Sequence, residues 1–166
     1  MVPPVRVWTL RSGMITIASF EDLTPLIGQH LGYSAGHQVT QERVDTFAEA
    51  TGDHQWIHVD PVRAAAGPFG GTIAHGYLTL SLGPVLLHDI VAWENIRMGV
   101  NYGLNKVRFP SPVPVGSTLR LGAVLAAAES LGDGGVQAVL ELTFEVEGSS
   151  KPACVAELLL RYYFDV

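Results

Sequence analysis

"HGYLTLSLGPVLLHDIVAW", residues 75 to 93, decides how the rest of the chain must fold. Apolar side chains recur on nearly every side of it: Tyr77, Leu78, Leu80, Leu82, Val85, Leu86, Leu87, Ile90 and Val91. A helix of that composition is buried all round rather than laid on a surface. Gly83-Pro84 inside it predicts a kink, because proline lacks the N–H that the helix ladder needs. The unbroken apolar run is too short to span a bilayer, and His88-Asp89 follows it.

Such a helix needs a wrapper, and the residues after 95 provide one. "IRMGVNYGLNKVRF", "STLRLGAVLAAAES", "VQAVLELTFEVEG" and "ACVAELLLRYYFDV" are long segments with stretches of alternation. The glycines around Asp133 mark a hairpin, and Gly148 to Pro152 another turn. Upstream, "ASFEDLTPLIGQHLG" predicts a short helix with turns at Gly28 and Gly32, and "GHQVT" is extended. "TQERVDTFAEATG" predicts a second helix, capped by Thr40 and stopped by Gly52. A further short helix starts with Asp60 as N-cap and Pro61 in its first position. Helices first and strands after give an α+β fold: a long central apolar helix wrapped by a curved antiparallel sheet.

The 166 residues suit one domain, expected over 14–166, with 1–13 as a loosely held extension. That extension, "MVPPVRVWTLRSG", lacks the unbroken apolar core of a secretory signal. A formal net charge of −6 argues against the basic stripe of a nucleic-acid surface but leaves room for a local basic patch facing a phosphorylated ligand. Cys154 is the sole cysteine, so no disulfide framework exists and a reducing cytoplasm is the expected compartment. No membrane partner is expected.

Chemistry concentrates in "ATGDHQWIHVDP", residues 50 to 61. His54 and His58 have a zinc spacing only on a helix, and Gly52 ends the helix before them, so no metal is expected. Asp53 and His58 sit in a loop that can turn both onto one bound water. The pair can take one proton from that water and hand one to substrate, which suits syn addition across an activated double bond. The plainer alternative makes Asp53 a helix-end acceptor and His58 a satisfied core histidine. In "GTIAHGYLTL", Gly76 leads the apolar helix and offers its N–H to a developing oxyanion. Close helix–sheet packing is the alternative reason for that glycine.

"TGDHQWIHVDP" followed by "IAHGYLTLSL" resembles the MaoC-like, R-specific enoyl-CoA hydratase family, in the branch with nodulation protein N-like proteins and mycobacterial R-hydratases. The family pattern G-D-x-N-P-x-H, then a variable loop, then H-G, is met at Gly52, Asp53, His58, His75 and Gly76. The resemblance implies a hot-dog fold and a homodimer whose sheets join edge to edge. It implies interconversion of a trans-2-enoyl-CoA and a (3R)-3-hydroxyacyl-CoA without a cofactor. Asp53 and His58 then hold the water, and the Gly76 N–H is the oxyanion donor. The common Asn-Pro pair is Gln55-Trp56 here. Trp56 adds bulk expected to cap the acyl tunnel, and Gln55 keeps an amide on a longer arm. A serine found in some members is replaced by Pro84.

His75 precedes the oxyanion glycine and is expected to orient the loop, with Tyr77 beside the substrate. Lys106 and Arg108 alternate to one strand face, where they either meet the phosphates of coenzyme A or form an ordinary solvated face. Two rival functions remain at this point: an acyl-CoA thioesterase on the same fold, and a non-catalytic acyl-binding module.

Overall fold

A computed structural model describes residues 13–165, so the expected extension falls almost wholly outside the described residues. The chain begins with strand β1 (Ile15–Ile17), helix α1 (Phe20–Leu23) and a 3-10 turn (Thr24–Leu26). Strands β2 (His30–Tyr33) and β3 (His37–Gln38) follow, then helices α2 (Gln41–Thr51), α3 (Trp56–Val59) and α4 (Pro61–Ala65). Helices α5 (Gly76–Ser81) and α6 (Gly83–Leu87) lead through β4 (Val91–Trp93) into β5 (Ile96–Arg108), β6 (Thr118–Gly132), β7 (Gly135–Val146) and β8 (Cys154–Phe164).

The main sheet runs β2-β6-β7-β8-β5, antiparallel throughout, with β3 also on β6. Alternation along its long strands puts Leu119, Leu121, Ala123 and Leu125 on one face with Leu140, Leu142, Phe144, Cys154, Ala156 and Leu158. Leu78, Leu82, Leu86 and Leu87 of α5 and α6 join the same core. Burial pushes the Cys154 thiol up to about 11.

Several expectations need correction. The central helix is two short helices, because Pro84 cannot supply an N–H to the ladder. It is also not buried all round: Tyr77 is 72% exposed and Val85 48%, while the opposite flank seals the core. Nor does helix reach Trp93. Residues 91–93 form a strand paired in parallel with β1, and the Trp93 ring stacks on Tyr162 at 3.9 Å. Strands also precede the helices: Gly32 lies within β2 rather than in a turn. The caps stand as the sequence indicates. Thr40 Oγ1 accepts from the Arg43 N–H, Gly52 takes the left-handed conformation at φ 77°, and Asp60 accepts from the Arg63 N–H.

β5 is a thirteen-residue edge strand. Met98, Val100, Tyr102 and Leu104 are exposed along it. Long apolar edges of this kind are templates for pairing with another strand.

Candidate active site

The left-handed turn at Gly52 ends α2 and releases the chain into residues 53–55. Asp53 Oδ1 accepts weakly from the Gln55 N–H at 3.4 Å, which bends the loop back toward α3. That single helical turn presents His58 inward, where it is only 6% exposed. The Ile73 N–H donates to the Ile57 carbonyl at 3.0 Å, and the Ile73 carbonyl accepts from His58 Nδ1 at 2.7 Å. A carbonyl can only accept, so the proton of neutral His58 sits on Nδ1 and Nε2 carries a lone pair. Burial holds the imidazole below its ordinary 6.5; the Ile73 bond opposes that, His75 adds to it, and the Asp53 carboxylate opposes it.

His75 joins the pair from the other side. Its ring stacks on His58 at 3.8 Å, and its Nε2–H donates to the Asp53 backbone carbonyl at 2.9 Å. One candidate ligand atom from each of Asp53, His58 and His75 lies within 4.8 Å of the others. These residues could hold a metal ion by composition, and the imidazole beside His58 is His75 rather than His54. The two rings lie within 27° of parallel, and zinc would need a lone pair from each to converge on one point at about 2.0–2.1 Å. His54 lies outside α3, exposed, with Nδ1 3.7 Å from Glu49.

A cavity of about 270 Å³ opens beside His58, lined also by Gly76, Thr79, Phe109, Val113 and Ala153. Thr79, Val113 and Ala153 are buried, while Phe109 is exposed, so the cavity runs inward from Phe109. Gly76 begins α5 beneath the Phe109 ring: a methyl group there would come within 3.1–3.2 Å of three ring carbons. Gly76→Ala is therefore expected to displace Phe109 and reshape the cavity, with folding retained. A crystal structure of the variant alongside circular dichroism would check it; a Phe109 ring left in place would refute the expectation.

The remaining expected residues divide. Gln55 is exposed in the loop. Trp56 does not line the cavity. Its indole packs on Gly67, where a Cβ would meet it at 2.9 Å, and the Arg63 guanidinium lies over the ring at 4.5 Å. Tyr77 is exposed, edge-on to Phe109 at 6.1 Å, and is not a lining residue either. Lys106 and Arg108 pair in register with Glu157 and Val155 of β8. They share the sheet face opposite the buried Ala156 and stand outside the cavity. The Ile73 carbonyl and Phe109 were not singled out from the sequence: a backbone acceptor leaves no residue signal, and Phe109 reads as ordinary strand-end packing.

A family model described as "MaoC like domain" matches residues 22–143. The chain is 57% identical over 149 residues to 3-hydroxyacyl-thioester dehydratase Z of Mycobacterium tuberculosis, covering 90% of this chain and 99% of that one. It is 45% identical over 151 residues to Nodulation protein N of Rhizobium leguminosarum, covering 89% and 92%. Among solved structures, the unliganded R-hydratase PhaJ1 from Pseudomonas aeruginosa superimposes with a TM-score of 0.67 at 20% identity, over 89% of this chain and 87% of that chain. The (R)-hydratase from A. caviae involved in PHA biosynthesis gives 0.66 at 24%, over 81% and 94%. At those identities the structural likeness speaks for the fold, which is a hot-dog.

Proposed function

Because the chain belongs to the family of MaoC-like dehydratases, we propose that it interconverts a trans-2-enoyl-CoA and a (3R)-3-hydroxyacyl-CoA by syn addition or loss of water. It is an enzyme of the dehydratase class. The observation that carries the finer reading is the lock on His58: Nδ1–H is held by Ile73, which leaves Nε2 as the free base, and a ring nitrogen of His58 lies within 4.8 Å of an Asp53 carboxylate oxygen.

A water between the two groups gives one hydrogen to each as hydrogen bonds. As its oxygen bonds to C3 of the enoyl group, His58 Nε2 takes one proton. The electron pair of the C2=C3 bond moves into the thioester, whose oxygen becomes negative and accepts from the Gly76 N–H. The His58 imidazolium, stabilised by the Asp53 carboxylate, then returns the proton to C2. Hydroxyl and hydrogen arrive from one face, which makes the addition syn, and the base is regenerated. Dehydration runs the same steps backward. His75 holds the Asp53 backbone and the His58 ring and transfers no proton.

Hydration needs neutral His58. Its lowered pKa keeps that form present further into acid, so the acid limb of kcat/KM is expected below pH 6.5. A limb centred well above 6.5 would assign the base elsewhere. Prolonged chelation should leave kcat unchanged, since no step uses a metal; its loss on chelation, restored by zinc, would reopen the metal reading.

The exposed apolar edge of β5 supports a homodimer joined strand to strand. Lys106 and Arg108 on that strand suit the phosphates of coenzyme A, and the expected compartment remains the cytoplasm. The deciding experiment supplies short and medium trans-2-enoyl-CoAs, follows loss of the conjugated absorbance, and determines product chirality. Formation of the (3R) alcohol supports the reading. Release of free thiol with no alcohol would make the protein a thioesterase, and binding without turnover a carrier module.

A further inference from the structure

The residue that mounts His58 lies outside the loop that carries it. Gln41 is the first residue of α2, and its side-chain amide makes three contacts. Nε2 donates to the His58 backbone carbonyl at 2.7 Å and to Asp45 Oδ1 at 2.7 Å. Oε1 accepts from Thr72 Oγ1 at 2.6 Å. The orientation of the amide follows from its partners. A carbonyl and a carboxylate can only accept, so nitrogen must face them and oxygen must face the hydroxyl.

Those contacts join two segments. One holds Ile57 and His58; the other holds Thr72 and Ile73. The segments also meet through the Ile73 N–H on the Ile57 carbonyl, and the Ile73 carbonyl is the acceptor for His58 Nδ1–H. Their relative register therefore fixes where that carbonyl stands, and with it the tautomer and the aim of His58 Nε2. Thr72 is buried, so its hydroxyl has little access to water as a substitute partner.

We propose that Gln41 is a positioning residue for the reaction: its amide clasps the His58 backbone carbonyl and the Thr72 hydroxyl so that the imidazole is held by Ile73 with Nε2 free. This rests on the reading of His58 as the base. No residue of similar size does the same. Glutamate would set oxygen against the His58 carbonyl and the Asp45 carboxylate. Methionine fills the space and makes none of the bonds.

The test uses the full-length chain with Gln41→Glu, Gln41→Met and Thr72→Val, trans-2-butenoyl-CoA as substrate, and nitrogen-15 shifts of the imidazoles. In the wild type, neutral His58 should show the Nδ1–H tautomer alone. In the variants a second tautomer should appear and the titration of His58 should move up toward 6.5 as burial loosens, with Asp53, His75 and Asp45 the charged or titratable groups around it. kcat should fall at least about tenfold while KM stays within about twofold, the pattern of misaligned rather than unbound substrate. An unchanged His58 tautomer and titration in every folded variant overturns the proposal, whatever kcat does. Should both Gln41 variants lose the fold, Thr72→Val carries the test with the same two outcomes. If the wild type hydrates no enoyl thioester, the function reading fails, and the imidazole spectra still decide whether Gln41 mounts His58.

Discussion

Asp53→Asn and His58→Gln will each slow hydration by at least about a hundredfold, the usual scale for a group that moves or orients the transferred proton. Asparagine at 53 keeps the shape of the loop and an acceptor for the Gln55 N–H, but loses the charge that favours the imidazolium. Glutamine at 58 can still donate to the Ile73 carbonyl, yet it has no lone pair of imidazole basicity to take a proton from water. The two losses should not multiply in the double variant, because both act on one water. Asp53 is exposed and makes only weak bonds with its side chain, so its variant should melt with the wild type. Kinetics on one enoyl-CoA, with melting curves beside them, measure both halves of the expectation. A variant that retains near wild-type kcat removes its residue from the mechanism.

The largest effect on stability is expected at Phe144. Its side chain is fully buried on β7, between Leu121 of β6 and Cys154 of β8 in register. Its ring tip also lies 3.4 Å from where a Cβ on Gly83 would stand, at the break between α5 and α6. Phe144→Ala therefore opens a cavity on both sides of the helix–sheet contact. Truncations of this kind cost about 3–5 kcal/mol. In a domain of this size that lowers the melting temperature by about 6–20 °C. Calorimetry would read it directly; a shift under about 2 °C would mean the helices settle onto the sheet without the ring.

Much of this architecture is legible in local patterns that tertiary contacts do not override. Thr40 and Gly52 bound α2 because each supplies a conformation or an acceptor that the helix end requires. The four long strands show because alternation sorts their side chains between two faces. β1 and β2 escape notice because three or four residues carry no period, and their identity depends on partners far along the chain, whereas β3 falls in the stretch read as extended. The central helix is misjudged for a related reason: apolar composition does not reveal that Tyr77 and Val85 are left uncovered. At the site, the spacing of Asp53, His58 and Gly76 is visible, and so is the nearness of His75 to the glycine. What fixes His58 is a backbone carbonyl at Ile73 and an amide at Gln41, neither of which stands beside it in sequence. That the Trp56 indole packs on Gly67 under Arg63 is not legible, because proximity along a loop says nothing about which side of a one-turn helix it takes.

Cys154 gives this protein a built-in reporter of its own opening. It is the only thiol in the chain, fully buried at the start of β8, with its ionisation pushed up to about 11. An alkylating reagent needs both access and thiolate, and the folded sheet denies it both. Labelling therefore waits for the start of β8 to part from β7. At saturating reagent its rate becomes the rate of that separation, and at low reagent it becomes the equilibrium population of the parted state. Mass spectrometry of one adduct on one residue would then follow the unfolding kinetics of the wild type and of each variant, with no engineered probe.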